Sequence, residues 1–424
     1  MLYLGIYLVL GVIFWMLVTL THKLPALVHS AHEDGDDGRH DKLAWFQGLV
    51  YMAIVLIGIA ALGVTWWLLQ NTPWEGHLME WLNIVVRLMH ITFGIAWIGA
   101  SFYFVFLENA LNRTKGLRDE LAGNLWAVHG GGFYYLEKYK TAPKEIPRDL
   151  HWFKYEAYFT WLSGFSLLFV VYYFNAKAFL IDKNVMDLSP VVAVAIGIGS
   201  FLFAWLLYHL LCKTKLVKNG PLFGLIGLAI CAGFAYGYTH VFSGRAAFIH
   251  FGAMLGTLMA GNVFFIIIPA QKAMVHAAKN GLPLDPAKGK FAGLRSLHNN
   301  YFTLPVLFVM ISNHFPSTFG GAQPWLILTF MTLGTAGVKH WLNLREKGQL
   351  NVWVLPVSAL ILLGAAFMTA PSSNPGECKA TVTMAQVQSI VQRRCQQCHA
   401  THPTDDVFTA PPNGVVYETP DDII

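Results

Sequence analysis

The chain has 424 residues, 55% of them hydrophobic and only 12% charged, with a formal net charge of +5. A soluble domain uses roughly 25% charged residues to cover its surface, so half that share argues for lipid as solvent. The small net charge excludes a polyanion binder, because the basic residues gather in particular loops as membrane topology requires. Five cysteines, two of them in one five-residue motif, exclude a disulfide scaffold. Cys212, Cys231 and Cys378 read as apolar or spare thiols.

A bilayer core about 30 Å thick needs roughly 20 apolar residues per helix. Ten stretches meet that length: 2–20, 44–69, 82–107, 155–175, 189–211, 221–241, 246–268, 296–315, 323–341 and 352–369. The first lacks a basic leader and a small-residue cleavage site, so it reads as a retained helix. The eighth is interrupted by Pro305 and opened by His298, Asn299 and Asn300. The loop 108–154 holds WAVHGGGFYY, whose glycines and flanking rings could offer backbone N–H groups to an anion and a face to a flat ring. A plain glycine turn is the simpler reading of the same residues. GIGIGS in the fifth stretch lacks a preceding strand and is no dinucleotide fingerprint.

Orientation follows from Lys and Arg. Loops 21–43, 108–154, 212–220, 269–302 and 342–351 carry 21 of them, and the alternate loops with the tail carry 6. Ten helices then place the first set in the cytoplasm and both termini outside.

From Ala370 the composition turns to Pro, Ser, Thr and Asp, and a short helical pattern leads into RRCQQCHATHP. Cys-x-x-Cys-His is the attachment pattern of a c-type haem. Cys395 and Cys398 would form the thioethers and His399 would ligate the iron. No second cysteine pair completes a zinc site. A downstream Met, the usual sixth ligand, does not follow Met384, and 25 residues after His399 are short for a whole cytochrome c domain.

Ionisable groups inside membrane helices are functional candidates by default. In the third stretch Arg87, His90, Gly94, Trp97, Ser101 and Glu108 fall on one helical stripe. In the seventh, Gly252, Gly256 and Ala260 would admit close helix approach. Electrons from a cytoplasmic site would have to cross the whole bilayer, so His90, His250, His314 and His298 are candidate ligands of b-type haems acting as stepping stones.

Six segments together resemble a known family: HITFGIAWIGASFYF (90–104), WAVHGGGFY (126–134), LHWFKYEAYFTWLSG (150–164), RAAFIHFGAMLGTLMAGNVF (245–264), RSLHNNYFTLPVLFVMISNHFP (295–316) and CQQCH (395–399). The chain resembles the bacterial membrane-bound urate oxidase (urate hydroxylase) with a C-terminal cytochrome c domain. The resemblance implies oxidation of urate to 5-hydroxyisourate, with electrons passed to cytochrome c and a terminal oxidase, in the bacterial inner membrane with the haem tail in the periplasm. It implies an all-α fold. Two extra helices would occupy 1–80, an eight-helix membrane domain 81–369, and a linker with a partial, α-helical cytochrome c domain 370–424. Residues 1–80 and the missing downstream Met depart from the family pattern.

On that reading Glu108, Glu156 and His129 are the candidate catalytic residues. Gly130, Gly131, Arg148 and Arg295 are the candidates for holding the urate anion. The expected partners are urate, a cytochrome c or terminal oxidase, and the lipid bilayer, with no nucleic acid. The rival reading is a transmembrane electron-transfer subunit without substrate chemistry of its own.

Overall fold

Each apolar stretch from the second to the tenth is helical in the computed structural model. It describes residues 12–13, 15–21, 23–25, 27–28, 30, 37–69, 73–114, 116–143, 145–147, 150–370, 383–396, 398–403, 410–411 and 414–423. The expected helix 2–20 lies largely outside them. In chain order the helices are α1 (Asp37–Leu69), α2 (Pro73–Ala110), α3 (Tyr155–Leu167), α4 (Pro190–Leu211), α5 (Gly220–Thr239), α6 (Gly244–Asn262), α7 (Ile268–Lys279), α8 (Pro286–Ser312), α9 (Pro324–Glu346), α10 (Val354–Met368) and α11 (Met384–Arg394). The chain divides into two compact units, Leu82–Val387, and Met1–Trp81 with Gln388–Ile424.

The helix starts follow from local chemistry. Ser189, Asn219, Ser243 and Asp285 each accept a bond from a first-turn amide, satisfying a donor that the helix leaves orphaned. Pro190, Pro221 and Pro286 follow three of these caps, where a missing N–H costs nothing. Two helices change pitch: π turns at Leu168–Tyr173 continue α3, and at Val263–Ile267 they join α6 to α7.

α6 is the hub, with residues buried on every side, from Ala246 and Phe248 to Met254, Leu258 and Asn262. That is the signature of a helix in the centre of a bundle. Gly252 makes the expected close approach, since a methyl there would lie 2.6 Å from Val309, whereas Gly256 faces open space. Among the described residues five segments are long and apolar enough to cross a membrane: Trp45–Thr65, Gly76–Ala110, Pro190–Leu211, Gly220–Thr239 and Gly244–Lys279. Their outer faces expose Leu202, Phe203, Leu210 and Leu225, a run of apolar surface that water would not tolerate.

The all-α expectation needs one correction. The loop 108–154 contains an antiparallel hairpin, β1 (Leu121–His129) and β2 (Gly132–Tyr139). Gly130 and Gly131 have φ of 57° and 80°, the two positive values that a two-residue type I′ turn requires. One face of the hairpin presents Trp126, Val128, Phe133 and Tyr135, all exposed. An L residue in the left-handed region costs about 1–2 kcal/mol, so Gly131→Val is expected to loosen the hairpin alone. Amide exchange should quicken across 121–139 and stay unchanged in α6; uniform exchange across both would contradict the turn assignment.

Candidate functional site

Where α4, α6 and α8 meet, the bundle buries a positive charge. Arg295 on α8 is fully buried. Its Nη1 donates to Asn262 Oδ1 at 3.2 Å, and its Nη2 donates to the Nδ1 and the carbonyl of His209 at 3.1 and 3.3 Å. The guanidinium lies 4.6 Å from the Tyr208 ring centroid and 4.9 Å from that of Phe291, contacts suited to a planar cation. Asn262 donates to Tyr208 Oη at 3.0 Å and to Asn299 Oδ1 at 2.9 Å. Tyr208 Oη in turn lies 2.8 Å from His298 Nδ1, and because it already accepts from Asn262 it donates there.

Every partner in this network is neutral. Among the described residues no ion pair involves Arg295, and its Nε has no hydrogen-bond partner. Trp205 Nε1 is buried and likewise unmatched, and its ring stacks on His209 at 4.8 Å. A buried guanidinium without a carboxylate carries a desolvation penalty of several kcal/mol. The π turn that begins directly after Asn262 is a distortion that often accompanies functional sites.

The tail forms a second arrangement. His399 N bonds to the carbonyl of Cys395 at 2.8 Å, so both cysteines and the histidine share one helical turn. His399 Nδ1 donates to the carbonyl of Val415 at 2.9 Å, which leaves Nε2 with the lone pair. Tyr417 packs its ring 5.3 Å from the imidazole and donates its backbone N–H to the carbonyl of His399. Below it, Thr419 holds the Asp422 carboxyl under the usual carboxylate range through side-chain and backbone hydrogen bonds. Two thiols on one turn and an imidazole fixed by a carbonyl at its other nitrogen fit a c-type haem.

The urate oxidase N-terminal family matches residues 76–370. The chain belongs to this family. No curated protein and no solved structure matches it. The matched span contains the whole Arg295 network and ends before CQQCH, so urate-related chemistry and the tail rest on separate observations.

Within this urate oxidase span, the expected site residues do not all meet. Arg295 is at the network's centre. Glu108 instead forms exposed ion pairs with Arg113, at 3.0 Å, and with Lys138 of β2, anchoring the hairpin rather than facing the network. Glu156 sits 4.0 Å from His151, with its Oε2 buried and unmatched. His129, Gly130 and Gly131 form the exposed hairpin end, so the simpler glycine-turn reading describes them. Arg148 lies outside the described residues.

The histidines expected to hold b-type haems were tested by their partners. His250 has both ring nitrogens engaged, Nδ1 to the carbonyl of Ala246 at 2.8 Å and Nε2 to Tyr173 at 3.1 Å. His90 donates to the carbonyl of Thr160 at 3.0 Å and lies so close to α3 that a methyl on Gly164 would be 2.7 Å from its ring. His298 stacks on Phe223 at 4.9 Å, and His314 is exposed beyond the end of α8. With both ring nitrogens taken, His250 does not fit an axial ligand of a b-type haem. Sequence reasoning missed His209 and Asn262 as Arg295 partners. The only signal was polar residues at helix ends, which does not reveal that helices 30 to 90 residues apart converge.

Proposed function

We propose that the chain oxidises urate to 5-hydroxyisourate at the Arg295 network in the bacterial inner membrane. Electrons then leave one at a time toward a periplasmic c-type cytochrome and the respiratory chain. The observation that carries this reading is the fully buried, carboxylate-free Arg295 inside a urate oxidase family span. Urate at neutral pH is a flat monoanion. The guanidinium Nε and Trp205 Nε1 have no hydrogen-bond partner and would be its donors. Arg is suited to such planar recognition, where Lys would supply only a point charge.

The chemistry balances as loss of two electrons from the urate monoanion, followed by addition of one water at the electrophilic ring carbon and release of one proton to give neutral 5-hydroxyisourate. Tyr208 donates to His298 Nδ1, so the pair can pass a proton away from the attacking water: Tyr208 takes it as its own moves to His298. Burial of the network excludes competing nucleophiles. Cys395, Cys398 and His399 would hold the haem, which supplies one-electron acceptance. The tail would lie in the periplasm, where its partner is a soluble or membrane cytochrome c or a terminal oxidase.

Topology is open to a direct test. On this reading Asp182→Cys and Gly321→Cys, in a background without other reactive thiols, are labelled in intact cells by an impermeant maleimide. Lys215→Cys and Lys288→Cys are not. The reverse pattern would overturn both the orientation and the outward electron path.

A further inference from the structure

His250 is boxed by the rings of Tyr172, Tyr173, Phe201, Tyr238 and Phe242, with centroids 4.6 to 6.2 Å away. Its Nδ1 faces a backbone carbonyl, which can only accept, so Nδ1 carries the proton and Nε2 the lone pair. Tyr173 Oη, 3.1 Å from Nε2, therefore donates its phenolic proton to that nitrogen. His250 is fully buried and Tyr173 is 8% exposed. Gly197 keeps the pair together, because a methyl there would lie 2.8 Å from Tyr173 Oη and 3.0 Å from His250 Nε2.

Tyr173 also ends a row. Trp161, Phe165, Phe169 and Tyr173 recur every four residues along α3 and its π turn, with successive ring centroids 5.0, 5.4 and 5.1 Å apart. At the row's other end Trp161 Nε1 donates to Thr257 Oγ1 of α6 at 3.1 Å. Thr257 is five residues from Asn262 of the Arg295 network, a rise of about 7.5 Å along that helix. The row itself covers about 18 Å of helix axis. Tryptophan and tyrosine are the side chains that give up one electron most readily, and a phenol does so far more easily when its proton has a base to go to.

We propose that Tyr173 is a redox-active tyrosine with His250 as its proton acceptor, and that the row from Trp161 to Tyr173 relays single electrons through the membrane domain. The urate reading supplies the electron source; the radical itself does not depend on it. In the forward step a one-electron metal oxidant takes one electron from the Tyr173 phenol, and the phenolic proton moves to His250 Nε2. The neutral tyrosyl oxygen then receives one electron from the Trp161 side and the same proton back from His250. Two such cycles serve one urate, and neither residue is consumed.

The test uses the full chain in lipid nanodiscs without urate, oxidised by hexachloroiridate(IV) and frozen for electron paramagnetic resonance. The expected signal lies near the free-electron value, narrows in protein grown on ring-deuterated tyrosine, and in heavy water shows an exchangeable deuteron from protonated His250. It should fall at least about tenfold in Tyr173→Phe, equivalent to about 1.4 kcal/mol or more in driving force. Gly197→Ala, which wedges the pair apart, should remove the exchangeable coupling. An unchanged signal in a folded Tyr173→Phe protein, or a wild-type radical without that coupling, would overturn the proposal. A radical that forms normally in protein that urate never reduces would instead defeat the urate reading and leave Tyr173–His250 standing.

Discussion

Replacing Arg295 by Met is expected to lower kcat/KM for urate by about a hundredfold to a few thousandfold, because removing one member of a buried charge pair costs about 3–5 kcal/mol and each 1.4 kcal/mol is tenfold. The unliganded protein should respond differently. The change strands Asn262 Oδ1 and His209 Nδ1, which lose the donors that Arg295 gives them, at about 1–3 kcal/mol each. It also removes an uncompensated buried charge, which offsets that loss by several kcal/mol. The apo melting temperature should therefore stay close to wild type while activity collapses. Saturating urate adds about 2.7 kcal/mol at a hundredfold excess over Kd, so it should raise the melting temperature of wild type and not of Arg295→Met. Arg295→Lys keeps the charge without the planar fork and should recover only part of the activity. Loss of fold in Arg295→Met, with no urate effect on wild type, would make Arg295 a structural residue.

The second large effect concerns the tail. Cys395→Ala combined with Cys398→Ala should abolish covalent haem staining in a denaturing gel, since both thioethers go. His399→Ala should keep the stain and change the haem spectrum, because the imidazole held by the Val415 carbonyl is then missing. In both variants urate should still bind and still raise the melting temperature, because the Arg295 network lies in a separate span of the chain. An unstained wild type, made with intact maturation machinery, would refute the haem.

Much of the helical scaffold was legible in the sequence because its signals are local. The third apolar stretch carries small and polar residues at helical spacing, and in α2 that stripe meets α3. His90 reaches Thr160 and Ser163, Gly94 faces Thr160, and Trp97 packs against the cluster formed by Ala157, Val263 and Ile268. Glu108 sits at the end of the same stripe, but it lies past the packed part of the helix, where Arg113 and Lys138 compete for it. The hairpin was missed although its signal was present: two glycines between aromatic and β-branched residues are a turn flanked by strands. The glycine turn was already the simpler reading beside an anion cradle; the pairing of the residues on either side of it as strands was not foreseen.

The candidate site was legible only in part. From the sequence Arg295 is a candidate for holding the urate anion, counted with a basic loop at the edge of the eighth apolar stretch, yet its meaning depends on what surrounds it. His209 and Asn262 come from helices distant in sequence, and no periodicity announces that α4, α6 and α8 meet at one guanidinium. That no carboxylate pairs with Arg295 among the described residues is a fact of three-dimensional packing. His250 shows the converse. As a lone histidine in a membrane helix it invited a haem, whereas its two occupied nitrogens give it a different part to play.

The most direct test of the account is anaerobic stopped-flow reduction of the purified full chain by urate. Oxidised cytochrome c is supplied as terminal acceptor in water labelled with heavy oxygen. The account predicts that urate reduces the covalent haem without dioxygen. It further predicts two equivalents of cytochrome c reduced per urate, label from water in 5-hydroxyisourate, and no hydrogen peroxide. A haem that urate leaves oxidised while a quinol reduces it would contradict the account and make the chain an electron carrier without substrate chemistry of its own.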